Sequence, residues 1–200
     1  MTRIPLLRYS CNGISFSSSF AISRSSSEFI IRDYSSFHSN IENVKCLDDA
    51  PSLFRQMVRT QPLPSVFDFS KLLKTMVNTK HYSAVVSLFR EMRKLGIPIN
   101  DFILNIVINS YCLMHCSDCG FSVLAIYLKN DIPFDVITFN TLLRGLFTEN
   151  KIKDAVNLFK KLVRENICEP DEVTYLTVMN GLSKRGHTKK TFDLLRVMEQ

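Results

Sequence analysis

Residues 136–171 read VITFNTLLRGLFTENKIKDAVNLFKKLVRENICEPD, and this stretch decides the fold. Its apolar residues fall three and four apart in two runs. Phe139, Leu142, Leu143 and Leu146 form the first run, and Ala155, Leu158, Phe159 and Leu162 the second. That spacing puts each set on one stripe of an amphipathic helix. Pro170 then blocks continuation. The pattern returns on both sides. The pair Leu158-Phe159 has counterparts at Leu53-Phe54, Leu88-Phe89, Val123-Leu124 and Leu194-Leu195, at spacings of 35, 35, 35 and 36 residues. Three residues after each pair stand Met57, Met92, Tyr127, Leu162 and Met198. Phe139 has its own counterparts at Phe69, Leu104 and Tyr175. A period of this length marks a stack of supersecondary units, each burying its apolar face on the next. The expected fold is all-α, a right-handed α-solenoid of helix-turn-helix repeats of about 35 residues with one extended concave surface.

The apolar spacing predicts helix pairs at 68–79 and 82–95, 101–114 and 117–130, 137–148 and 151–165, and 172–184 and 188–200. Gly96 with Pro98, then Pro133 and Pro170, mark the closing turns. Residues 47–60 match the second half of a unit, with Ala50, Leu53, Phe54 and Met57 in register and Pro64 at the joint. Pro51 fits a helix there only within its first turn.

Composition bounds the function. The chain has 200 residues, is 46% hydrophobic and carries a net charge of +6. No apolar run is long enough to span a membrane as a helix. Outside residues 1–34 the excess of bases over acids falls to +4, a mild bias toward anionic partners. Residues 1–34 contain Arg3, Arg8, Arg24 and Arg32, many serines, no lysine and no acid before Glu28. An Arg- and Ser-rich, acid-poor segment of this kind reads as an organellar transit peptide. Residues 35–46 carry no pattern and read as a linker.

The columns of the period resemble a family. The run Val136 to Leu146, followed by Ala155-Val156-Asn157-Leu158-Phe159 and closed by Pro170-Asp171, is similar to a pentatricopeptide repeat of the pure 35-residue plant type. Glu172-Val173-Thr174-Tyr175 opens the next repeat in the same way. The Pro62–Ser65 lead-in and Asp68-Phe69-Ser70-Lys71-Leu72-Leu73 resemble the opening repeats of the restorer-of-fertility-like mitochondrial subgroup. On this resemblance residues 47–65 form an N-terminal capping half-repeat. Repeats follow at 66–100, 101–135 and 136–171, with an incomplete fourth at 172–200, as in a truncated member.

The resemblance implies sequence-specific binding of single-stranded organellar RNA, one base per repeat, each read by two or three side chains. It places the base-reading side chains at the fifth and last positions of each repeat. These are Ser70 with Asn100, Asn105 with Asp135, and Asn140 with Asp171. By the family's code the three pairs read 5′-A-U-U-3′. The fifth position of the fourth repeat is Leu176, which has no hydrogen bond to offer. The second positions, Phe67, Phe102, Ile137 and Val173, are the ones that pack on base faces, where an aromatic ring is worth roughly 1–3 kcal/mol per base. Arg144, Lys151, Lys153, Lys184 and Arg185 are candidate phosphate contacts. The implied setting is the mitochondrion rather than the chloroplast. The implied role is transcript processing, stabilisation or translation, with a recruited nuclease or other RNA-processing factor as a further partner.

Other readings of the same residues stay open at this point. Asn105 and Asn140 also suit helix starts, and Phe67 and Phe102 also suit an inter-repeat core. The concave surface also suits a protein–protein scaffold, and a truncated relative would bind RNA little. Cys112, Cys116 and Cys119, with His115 between, have the spacing of an iron–sulfur motif. The chain lacks the alternating strand–helix pattern of the enzymes that use it, so free thiols are expected and no cofactor or metal is assigned. No catalytic constellation is found: the four histidines have no repeated partner and there is no Gly-rich phosphate loop. A non-enzymatic protein is expected.

Overall fold

The computed structural model describes residues 49–133, 135–184 and 186. The segments read as transit peptide and linker, Arg185, and the helix expected at 188–200 lie outside them. Among the described residues there are eight helices and no strand. They are α1 Asp49–Arg59, α2 Val66–Asn78, α3 Tyr82–Lys94, α4 Asp101–Leu113, α5 Ser117–Lys129, α6 Val136–Thr148, α7 Ile152–Glu165 and α8 Glu172–Ser183. The main departure from expectation is the start of α2, at Val66 rather than residue 68. Ser65 caps it: its hydroxyl accepts from the Asp68 N–H, and its own N–H donates to the Asp68 carboxylate. This reciprocal box draws two more residues into the helix. Pro51 sits in the first turn of α1, where a missing N–H costs nothing.

The three units from 66 to 171 each close twice through the same local geometry, and the fourth shares it at its hairpin turn. Lys80, His115, Asn150 and Gly186 follow the first helices, and all have positive φ. Gly96, Asp131 and Asn166 follow the second helices and share it. The N–H of the next residue then reaches back across the helix end. His81 N–H donates to Met76 O, Cys116 to Tyr111 O and Lys151 to Leu146 O, each at 2.9 Å. Ile97 to Met92 O and Ile132 to Tyr127 O repeat the bond at 3.0 Å. These left-handed closures satisfy carbonyls that a helix end otherwise strands.

Packing makes a two-row solenoid. The first helices α2, α4, α6 and α8 stack directly on one another and each packs on the preceding second helix, and α2, α4 and α6 also pack on their own partners. The second helices α3, α5 and α7 make no comparable stack among themselves. One row is in contact and the other is splayed, so the stack bends with the first helices on its inner side. The core lies between the rows. Phe69, Leu72, Leu104, Val107, Phe139, Leu142 and Val178 from the first row and Leu53, Met57, Phe89, Met92, Tyr127 and Leu162 from the second are all buried. Each such side chain contributes about 1.5–3 kcal/mol on leaving water.

Small residues let the inner row close. A Cβ on Gly145 of α6 would lie 2.8 Å from Cys112 Cβ of α4 and closer still to its sulfur. A Cβ on Gly181 of α8 would enter the ring of Phe147 on α6. Cys112 and Phe147 occupy the same column, as do Gly145 and Gly181, so one knob-and-hole contact repeats along the stack. Gly145→Ala should therefore destabilise the fold by about 1–3 kcal/mol through overpacking, against a helix-propensity gain of about 1 kcal/mol. A urea midpoint that rises in this variant would contradict the contact.

Candidate nucleic-acid interface

The inner face of the solenoid is built from the first turns and exposed stripes of α2, α4, α6 and α8. Position two of each helix points outward. Phe67 is 68% exposed, Phe102 45%, Ile137 59% and Val173 51%. These four are not core, and the helical stack sets them in a row. Beyond their first turns the four helices carry no acid, while Lys71, Lys74 and Arg144 lie on them and Lys184 caps α8. The Lys74 ammonium sits 5.8 Å from the centre of the Phe102 ring, within cation–π range. Arg144, Lys184, Thr177 and Asn180 line a groove between α6 and α8. Apolar surface and basic side chains thus run along one face.

The polar column sits at the base of this row. Asp135 is the N-cap of α6 and accepts from the Thr138 N–H at 2.8 Å. The same carboxylate oxygen faces the Asn105 side-chain amide of α4 at 3.5 Å. One repeat on, Asp171 caps α8, accepting from the Thr174 N–H at 2.8 Å, and accepts from the Asn140 amide of α6 at 3.2 Å. Each Asp thus joins the start of its own helix to the Asn of the preceding one. Asn105 and Asn140 are not caps; they are the fifth residues of α4 and α6. The remaining pair is not joined. Asn100 caps α4 through the Ile103 N–H at 3.0 Å, and Ser70, buried, donates to its own helix at Val66 O. Leu176 is 44% exposed at the equivalent place on α8.

The other candidate cations divide. Lys151 is 2.8 Å from both Glu149 and Asp118, and Glu149 also accepts from Ser117 N–H and hydroxyl. Hydrogen bonds to Asp118 and Glu149 hold the Lys151 ammonium above its ordinary range. Burial works to raise the Glu149 carboxyl, but its bonds to Lys151 and Ser117 outweigh this and lower it. Lys151 therefore staples the turn of one hairpin to the next instead of standing free for a phosphate. Lys153 lies with Lys160 at the second-helix side, away from the inner face. Lys71 and Lys74 were not singled out by sequence; their signal was their place four and seven residues after Phe67, one helical face.

The cysteines do not converge. Cys112 is buried against Gly145, and burial pushes its thiol up to about 12. Cys116 and Cys119 stand together at the start of α5, sulfurs 2.6 Å apart, both as free thiols. Among the described residues no group of three or more His, Cys, Asp or Glu is arranged to hold a metal ion. Among them, too, no helix is long and apolar enough to cross a membrane.

A two-row stack of helical hairpins with a polar side chain and its carboxylate partner at fixed places in successive units defines a class: a helical repeat protein with a ladder-like inner face. Comparison with known proteins gives it a family. Residues 52–112 match the pentatricopeptide repeat domain, residues 135–184 the PPR repeat family and residues 173–200 the PPR repeat. The chain belongs to the pentatricopeptide repeat family. A putative mitochondrial pentatricopeptide repeat-containing protein of Arabidopsis thaliana is 42% identical over 121 residues, 60% of this chain and 20% of the relative. A second from the same plant, also named mitochondrial, is 36% identical over 114 residues, 56% of this chain and 18% of its own length. The chain thus spans about a fifth of the length of these curated relatives. Among solved structures, the maize pentatricopeptide repeat protein PPR10 superposes on 82% of this chain with a TM-score of 0.68 at 19% identity, covering 23% of the maize chain. The Arabidopsis thaliana nuclear protein-only RNase P 2 superposes on the same share with a TM-score of 0.62 at 16% identity, covering 36% of that chain.

The Asp171 carboxyl carries a pH signature. The Thr174 hydroxyl, the Thr174 N–H and the Asn140 amide stabilise its ionised form and lower its pKa. A depressed acid contributes stability above its unfolded pKa and loses it as pH falls through the folded one. Asp171→Ala should cost about 0.5–2 kcal/mol at pH 7, as a lost N-cap does. Denaturant melts of both proteins should converge as pH falls through the depressed folded pKa; a difference independent of pH would contradict the carboxylate's role.

Proposed function

We propose that this chain is a single-stranded RNA-binding segment of a mitochondrial protein, acting without chemistry of its own in transcript processing, stabilisation or translation. The observation that carries the proposal is the repeated Asn/Asp pair beneath an exposed apolar row on an acid-poor face. A base laid on Phe102 or Ile137 brings its edge to the Asn105 or Asn140 amide, with the Asp of the next repeat beside it. Stacking on that row is sequence-tolerant, so discrimination falls to the polar pair. Lys71, Lys74, Arg144 and Lys184 supply the attraction for phosphates, which weakens with salt. The pairs Ser70/Asn100, Asn105/Asp135 and Asn140/Asp171 are assigned to three successive bases, A, U and U. The domain limits are assigned as the period gives them, from the half-repeat at 47–65 to the incomplete repeat at 172–200. The mitochondrial names of its relatives support the setting, and an RNA-processing factor recruited to the occupied site is the accompanying partner.

The test is a substitution read against sequence. Asn140→Ser should move the base preference at the third nucleotide alone, leaving the first two as they were, in binding to short single-stranded RNAs. Lys74→Ala should weaken all sequences alike and make the slope of log K against log salt shallower by about one. Binding that ignores both changes, or prefers duplex, would overturn the proposal, as would failure to recover crosslinked RNA with the chain from plant mitochondria.

A further inference from the structure

Two repeats carry the same Asn/Asp pair, yet the surroundings of the two asparagines differ. Around Asn105 the side-chain oxygen lies 3.0 Å from the Tyr127 hydroxyl and 2.7 Å from the Thr138 hydroxyl. Thr138 also lies 2.6 Å from the Asp135 carboxylate. A threonine hydroxyl has one proton to give. In the next repeat the equivalent Thr174 gives its proton to Asp171, at 2.7 Å. The charged oxygen is the stronger acceptor, so Thr138 divides its one proton between Asp135 and the Asn105 oxygen with Asp135 favoured. Tyr127 then supplies the Asn105 oxygen with a proton that Asp135 does not compete for. It is fully buried, and two other acceptors, Asp101 O and Thr138 Oγ1, lie farther off at 3.2 Å each.

The next repeat shows what happens without it. The residue in the Tyr127 column is Leu162, buried and unable to donate. The Asn140 oxygen there is buried without a hydrogen-bond partner, in a side chain only 5% exposed. A buried polar atom left unpaired costs free energy that a satisfied one does not. The proton count and the orphaned oxygen agree.

We propose that Tyr127 is a positioning residue that fixes which end of the Asn105 amide meets the RNA, so that the second repeat discriminates uracil from cytosine better than the third. The proposal rests on the reading of Asn105 and Asn140 as base-contacting side chains. With its oxygen held inside by Tyr127, Asn105 turns only its NH2 toward the Asp135 side. That group needs an acceptor on the base. Uracil offers O4; cytosine has an amino donor in the same place. An amide turned over would accept from cytosine instead. Turning Asn105 breaks its bond to Tyr127. Turning Asn140 breaks no bond to its oxygen, because there is none, and only the Asp171 contact opposes it.

The experiment compares the chain and Tyr127→Phe on RNAs containing A-U-U, A-C-U or A-U-C. Phenylalanine keeps the ring and deletes only the hydroxyl. The fold already tolerates an orphaned asparagine oxygen at Asn140, so the variant should fold, and its thermal melt checks this. For the unaltered chain the U-over-C ratio should be larger at the second nucleotide than at the third. In Tyr127→Phe the ratio at the second nucleotide should fall about three- to tenfold, the range of one lost hydrogen bond, with the third unchanged. In the absence of RNA, the Asn105 side-chain amide signals in nitrogen-edited NMR should shift and broaden in the variant while those of Asn140 stay. Unmoved Asn105 signals overturn the clamp by themselves. Moved signals with an unaltered ratio at the second nucleotide overturn its role in specificity. An unaltered chain with no base preference at either nucleotide overturns the RNA reading, and the inference with it, whatever the NMR shows.

Discussion

Everything on the inner face depends on how closely the first helices approach. Gly145 against Cys112 and Gly181 against Phe147 are the contacts that set that approach. Were these positions larger, α4, α6 and α8 would part, and the splay between the rows would shrink. The curvature exists because one row touches and the other does not. Touching helices also bring the N-cap of one unit within reach of the fifth residue of the first helix before it. The 3.2 Å bond from Asn140 to Asp171 is a direct product of that proximity.

This arrangement merges two roles that are usually separate. Asp135 and Asp171 hold their own helices by capping, and they also hold the amide of the neighbouring repeat. Replacing either disturbs fold and face together. The second positions are freer. Phe67, Phe102, Ile137 and Val173 contribute little to the core and are exposed at an energetic disadvantage in water. A row of exposed apolar side chains is the kind of feature that a binding partner explains and folding alone does not.

Much of this was readable in the sequence because the period is strong. The columns of Phe69, Leu104 and Phe139, and of Met57, Met92 and Leu162, are buried as their spacing implies. The outward second positions were marked by the family resemblance and not by the period, which left Phe67 and Phe102 open as core. Other features left no local trace. Lys80 and His115 adopt positive φ without being glycine, so nothing at those residues announces a left-handed closure; only the column shared with Asn150 and Gly186 does. Lys151 looked like a free cation because its partners Asp118 and Glu149 include one more than 30 residues away. Tyr127 stands in a column of Met92 and Leu162 and reads as core. Its ring is core, but its hydroxyl reaches a polar atom 22 residues back, and one-dimensional pattern carries no sign of that.

The central claim is that successive Asn/Asp pairs along the touching row meet successive bases of one strand. A crystal structure of the chain with a single-stranded A-U-U RNA tests it most directly. The account predicts consecutive uracils with their edges at Asn105/Asp135 and Asn140/Asp171, their faces against Phe102 and Ile137. RNA lying instead along α3, α5 and α7, or bases turned away from both pairs, would contradict it.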